Sequence, residues 1–508
     1  MQCVKRYEVH VSDLLGKAKA MNRTGSVLIV GGGSSGWMTA ALLSKTLPNT
    51  KITLVEASDI PVIGVGESTN MTMKYFLHAI GYNERRFMRA CEAAYKRAIR
   101  FEHFNQVNGV FYHPFGKPVT NGATEEFSPS AQSCYADFDS VEPGDLFGRD
   151  CAYSYQVDAG LFAEYLKQQC KSEGAVSQVV DLVTDVCVNE KGEIDGINTK
   201  ASGKLTAELY VDCTGFRSIL LGKTLGEPFE SYSNYLLNDS AIAVRVPYVD
   251  KDKELLTYTR CTALSAGWVW TIPLWSRIGL GYVYSSNFAS RPAAEAELTR
   301  YLGEKRREGL ELNHLSLRVG RHARAWVKNC VGVGISYGFL EPLESTGISL
   351  TQVSIWDLAA ALNARTSIST EREIYNRRQR ELFDSTRDFI IAHYVLTSRE
   401  DSEYWRFIRH SVQIPESLFV ILMEARARSY HTVITNPHRF YQKDSWNCIL
   451  SGMGFFGEEP PRPRATSARY RNAYFDVLRK QVHDGEMSDA SVGRVFSPEA
   501  HPLWYPTW

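Results

Sequence analysis

The sequence predicts an α/β protein: a parallel βαβ nucleotide-binding unit at the front, and a mostly helical region from about residue 386 onward. Three observations predict it. A short apolar strand, Ser26–Val30, runs directly into the glycine turn Gly31-Gly32-Gly33-Ser34-Ser35-Gly36. A helical stretch, Trp37–Leu47, stops at Pro48, and a second strand, Lys51–Val55, closes on Glu56. After Gly347 the apolar residues take helical spacing, through Ala364, Glu371–Val395 and Pro415–Ala427.

Gly31, Gly33 and Gly36 have the G-x-G-x-x-G spacing that a tight turn under a pyrophosphate requires. The helix that starts near Ser35 would aim its free N–H groups and the positive end of its dipole at the phosphates. Glu56 lies roughly twenty residues on, where an acid accepts a ribose hydroxyl. A glycine turn alone could be purely structural. The flanking strands and the acid make a dinucleotide site the better reading.

Further along, Lys74–Arg100 reads as helical with a break at Gly81-Tyr82-Asn83, and about 105–143 as an irregular covering loop. A helix over Ala159–Ser172 follows. Leu209–Asp212 is a strand entering the small turn Cys213-Thr214-Gly215, and Val331–Gly334 repeats that design. Ala241–Val246, Trp268–Ile272 and Leu280–Tyr284 are strands, and Ala473–His483 is an amphipathic helix in the tail. The two later strand–turn segments look like those of flavoprotein hydroxylases, where the chain returns repeatedly to one long cofactor. They favour FAD over NAD, with Asp212, Gly215, Gly334 and Leu343 as further contacts. The division expected is an extension over 1–25, an FAD-binding Rossmann-like box of the flavoprotein monooxygenase type over 26–385, and a substrate-binding region over 386–508.

Charge narrows the function. The chain has 57 basic and 57 acidic residues, so no net field gathers nucleic acid or an anionic membrane. The ten cysteines are scattered singly, with no pair at metal spacing, so no metal site is expected. No apolar run spans a bilayer, and free thiols suit a cytoplasmic setting.

Specific motifs lie on this frame. Gly267-Trp268-Val269-Trp270-Thr271-Ile272-Pro273 contains W-x-W-x-I-P. Gly64–Ser68, Tyr112-His113-Pro114-Phe115-Gly116, Asp212–Gly215, Arg321–Val331, Glu341–Ile348, Ala392-His393-Tyr394 and Thr397–Asp401 accompany it in order. With them the sequence closely resembles the flavin-dependent halogenases typified by the tryptophan halogenases, over about 27–454. The resemblance implies reduced FAD supplied by a separate flavin reductase, O2, and chloride or bromide oxidised beside the flavin to hypohalous acid. It implies a small aromatic substrate held elsewhere, and leaves a homodimer open.

The resemblance also implies roles. Lys96 falls at the catalytic lysine, either hydrogen-bonding the oxidant or being halogenated itself. Glu344 falls at the carboxylate that takes the ring proton, and Thr346 and Gly347 at the halide site. Trp268 and Trp270 are the pair that keeps organic substrate from the flavin; core packing of two indoles at i and i+2 would serve that barrier. The substrate pocket is assigned to Val110, Tyr112, Phe440, Tyr441 and Trp446. Counting back from Cys448, Asn436 stands at the acid that clamps the ammonium of tryptophan, and Val110 near the stacking histidine. The expected substrate is therefore an indole or phenol without an amino-acid head, or a larger natural product. Two other readings compete: a flavin aromatic hydroxylase, and a non-catalytic FAD-binding protein.

Overall fold

The computed structural model describes residues 24–58, 65–115, 153–306, 309–428 and 440–457. The extension over 1–25 (all but its last two residues), most of the covering loop, Asn436 and the tail helix at 473–483 lie outside them.

Val27–Val30 are fully buried, and their strand sits at the centre of a six-stranded sheet. It is parallel to Lys51–Glu56 on one side and to Leu209–Asp212 on the other. Ser177–Val180 extends the first side in parallel, and Cys330–Gly332 the second. Trp326–Val327 closes the edge antiparallel. Strands buried on both faces need helices on both, which is why these runs are continuously apolar. The helix Ser34–Thr46 buries Trp37, Met38, Leu42 and Leu43 in that core. Ala159–Ser172 is capped by the Asp158 carboxylate, which accepts from Gly160 and Leu161 N–H.

A second, seven-stranded sheet carries the W-x-W strand. Its order is 313–316, 240–246, 278–284, 267–273, 258–263, 98–102 and 110–114. A three-stranded sheet links Glu67–Ser68, Ser154–Val157 and Ala94–Lys96. The region after 345 is helical: Thr346–Asn363, Ile368–Val395, Glu403–Ser411, Glu416–Arg428 and Lys443–Gly452.

Three expectations change. The helix expected over 74–100 ends at Ala90, after Thr72–Ala79 and Glu84–Ala90. Glu92 takes φ +49°, and residues 94–96 and 98–102 become strands. Pairing with Ser154–Val157 and Tyr258–Thr262 outweighs the helix preference of the alanines. The covering loop begins later than expected, because Val110–Pro114 is a strand. The boundary set at 385/386 falls inside the unbroken helix Ile368–Val395, whose buried face includes Tyr375, Phe383, Phe389 and His393 on either side of it. Among the described residues no helix is long and apolar enough to cross a membrane.

Candidate active site

The glycine turn is built as its spacing requires. Gly31 has φ +114°, and a Cβ there would lie 2.3 Å from the Cys213 carbonyl oxygen. A Cβ on Gly36 would lie 1.9 Å from the Gly31 oxygen, so helix and strand touch there through bare backbone. On Gly33 an added Cβ meets nothing within 4 Å, and the same holds at Gly215. Gly334 brings its own strand end to the same place: a Cβ on it would lie 2.9 Å from that of Ser35. Three parallel strands thus deliver three glycine turns to one edge, a cradle suited to a dinucleotide such as FAD.

Two expected contacts differ. Asp212 is fully buried, and its carboxylate is spent on the protein. One oxygen accepts Thr214 N–H and Oγ1–H, the other Leu220 and Leu221 N–H. It shapes the Gly215 turn and does not present itself to a ligand. Leu343 is a core residue whose carbonyl accepts the Cys261 thiol at 3.6 Å. Glu56 does end its strand over Gly32, where it accepts from Trp37 Nε1, Gln178 and Lys167.

Lys96 is fully buried on a strand, not exposed on a helix. Its Nζ donates to the Thr69 carbonyl at 2.9 Å and to Ser345 Oγ at 2.7 Å. Ser345 Oγ donates in turn to Ser68 Oγ at 2.9 Å. Burial lowers the Lys96 amine to about 7, although Glu344 and Cys261 nearby oppose the shift. Ser345 holds φ +58°, an arrangement costing a non-glycine residue on the order of 1–2 kcal/mol. That backbone turn places Ser345 under Lys96 and starts the helix Thr346–Asn363. In its first turn Thr346 is buried, and Gly347 is exposed with nothing within 4 Å of an added Cβ.

Glu344 is buried between two histidines. Its Oε2 lies 2.8 Å from His113 Nδ1, and its Oε1 2.8 Å from His393 Nε2. Burial pushes this carboxyl up, but the charge and hydrogen bond of His113, with those of His393, overcome it and bring it to about 2. Sequence reasoning assigned neither histidine a role, though both stood inside quoted motifs. Their spacing to Glu344, 231 and 49 residues, hides the contact.

The two indoles of the W-x-W strand sit edge to face with centroids 6.3 Å apart. Trp268 Nε1 donates to Glu341 Oε2 at 3.1 Å, an oxygen that also accepts from Tyr394 and Asn238. Burial raises the Glu341 carboxyl despite those three hydrogen bonds. Trp270 lies over Gly281, where a Cβ would come within 2.1 Å of its ring. Cys261 pairs with Trp270 across the sheet, and its thiol bonds the carbonyl of Leu343, beside Glu344.

Aromatic side chains pack beside Glu344. Phe389 stacks on Tyr441 at 3.9 Å and meets Trp446 edge-on at 5.0 Å, with Phe440 against Tyr441. The Tyr441 hydroxyl donates to the Glu344 carbonyl at 3.1 Å. Val110 and Tyr112 are not part of this cluster. Alternation along their strand sends Phe111 and His113 toward Phe101 and Glu344. It sends Val110 and Tyr112 to the opposite face, against Ala98 and Tyr258. Two histidines lie at the cluster, with ring centroids 5.2 Å (His393) and 5.9 Å (His113) from that of Phe389.

Known proteins resemble the chain along most of its length. The family model described as tryptophan halogenase matches residues 26–468. The tryptophan 6-halogenase SttH of Streptomyces toxytricini is 37% identical over 487 residues, 85% of this chain and 90% of that protein. The solved structure of Tar14, a tryptophan C-6 flavin-dependent halogenase from taromycin biosynthesis, has TM-score 0.77 and 34% identity, covering 93% of this chain and 99% of its own. BrvH, a flavin-dependent halogenase from Brevundimonas sp. BAL3, has TM-score 0.76 and 30% identity, covering 95% and 99%. A glycine cradle for a long cofactor, a paired-indole strand and a buried lysine near a doubly held glutamate are thus arranged in a chain that belongs to the tryptophan halogenase family of flavin-dependent halogenases.

Proposed function

We propose that this enzyme halogenates an electron-rich indole- or phenol-type ring through Lys96, drawing on reduced FAD from a separate reductase. Gly31, Gly33, Ser35, Gly36, Gly215 and Gly334 would hold FAD, with Glu56 toward its ribose. When bound, reduced FAD with O2 supplies the oxidising equivalents that turn chloride or bromide into hypohalous acid.

The chain's own residues do the rest. Backbone N–H groups at Thr346 and Gly347 hold the halide at the start of an 18-residue helix, where the dipole favours an anion. Trp268 and Trp270, fixed by Glu341 and by close approach to Gly281, keep the aromatic substrate away from the flavin. Lys96 uses two N–H groups to hold its place and offers the remaining one to the oxidant, polarising the halogen toward the ring. Glu344 takes the proton displaced from the ring carbon.

The observation that carries this reading is Lys96, an amine wholly removed from water with Ser345 beneath it and Glu344 near it. A lysine buried at that cost is rare among purely structural lysines. The substrate proposal rests on Asn436, since a neutral amide cannot balance an ammonium. The experiment is an aromatic panel with FAD, a flavin reductase, NADH and either chloride or bromide, read by mass spectrometry. Halide-dependent products support the proposal; hydroxylated products independent of halide would sink it.

A further inference from the structure

Glu344 can accept one ring proton per turnover only if that proton then leaves, and its surroundings are almost closed. Lys96 and His393 are wholly buried, and Cys261 and Tyr441 are buried too. The Oε1 side is a dead end. His393 Nδ1 lies 2.9 Å from the Phe389 carbonyl, which can only accept, so that nitrogen carries a hydrogen. Its Nε2 faces the carboxylate at 2.8 Å. With both ring nitrogens committed, nothing passes beyond His393.

The Oε2 side differs. His113 Nδ1 is 2.8 Å from Oε2, and its Nε2 is 3.0 Å from the Ser445 hydroxyl. Ser445 is half-buried, in the first turn of the helix Lys443–Gly452. From the Glu344 role proposed above, we infer that His113 and Ser445 are the exit through which the ring proton leaves the site. The C–H electron pair returns to the ring as the proton moves to Glu344, and from there to His113 Nδ1. A proton leaves Nε2 for Ser445 Oγ, which releases its own to water. One proton enters and one leaves; the hydrogen of His113 has passed from Nε2 to Nδ1, and rotation of the imidazole between Glu344 and Ser445 resets it for the next turnover. His113 and Ser445 are positioning residues here, since neither needs to touch the ring.

The test follows the halogenation step by itself. Full-length enzyme is first reacted with reduced FAD, O2 and bromide, then mixed by rapid quench with indole, or with tryptophan if that is the faster substrate. Ser445→Ala should slow this step about tenfold at unchanged KM, and acetate buffer should restore it as an outside proton acceptor. Ser445→Thr, which keeps the hydroxyl, should stay within about twofold of the parent. A parent rate and pH profile in Ser445→Ala would overturn the exit, as would a raised KM with an unchanged rate. Glu344→Gln separates the two readings. If it halogenates at the parent rate, the Glu344 role itself fails; if it is inactive while Ser445→Ala is normal, only the exit fails.

Discussion

Burial lowers the Lys96 amine, whereas His113 and His393 lower the Glu344 carboxyl against burial. Lys96→Ala should lower halogenation at least about a hundredfold while oxygen consumption by reduced FAD continues, because in the proposed role the lysine acts after the oxidant exists. Product yield and oxygen uptake, measured together, check this; equal loss of both would place Lys96 on the flavin side. With the Lys96 amine at about 7, the ammonium hydrogen used in its proposed role is present below that pH and lost above. The halogenation step, isolated by rapid quench, should therefore weaken as pH rises through about 7. Glu344 runs the other way in stability. Its folded carboxyl at about 2 lies below the usual 4.5, so the folded state binds fewer protons in that interval. Its contribution is present above about 4.5 and lost as pH falls toward 2. Glu344→Gln should flatten that part of the acid unfolding curve, and an unchanged slope in denaturant titrations at pH 5 and pH 3 would contradict it.

Among the elements, the glycine turn and the paired-indole strand are the most constrained. Gly33→Asp sets a carboxylate where an added Cβ meets only open space, so the chain should fold yet lose FAD through repulsion from the pyrophosphate. Equilibrium dialysis with oxidised FAD would show it; parent affinity would remove the turn from the cofactor site. Gly281 tests the barrier. Its Cβ in Gly281→Ala would strike the Trp270 ring at 2.1 Å, with neighbouring strands paired on both sides. Trp270 must then move, and the expected result is oxidant spent without product, read as a fall in product formed per O2 consumed. Coupling equal to the parent's would show that Trp270 has no part in the separation.

For the molecule as a whole, the long helix Ile368–Val395 runs unbroken across the boundary expected at 385/386. Arg321, on a strand of the first half, forms a bidentate pair with Asp384, and ten residues beyond, Tyr394 bonds Glu341. A chain cut at 385 should not fold as a soluble FAD-binding unit, which circular dichroism and FAD binding of the truncated chain would check. Substrate preference also belongs to this scale. On the proposal that Asn436 stands in place of an acid, the lost pairing of an ammonium costs on the order of 1–3 kcal/mol, roughly tenfold to a hundredfold in affinity. Indole or a simple phenol should outcompete tryptophan in a direct mixture. Clean benzo-ring halogenation of tryptophan at higher efficiency would reject that substrate class.

Local pattern by itself determined the βαβ unit, the G-x-G-x-x-G turn, the later strand–turn repeats and the helical region after 346, because each depends on near neighbours. The motif strings also placed Lys96 and Glu344 as candidates. Only the tertiary structure decided that residues 94–102 are strands, since their partners lie about 60 and 160 residues away. It alone turned the Asp212 carboxylate into the turn, put Val110 and Tyr112 on the far face, and closed His113 and His393 on Glu344. Strand alternation is legible in sequence, but which face meets the site depends on what packs against it. A carboxylate held by two histidines from distant elements leaves no local trace.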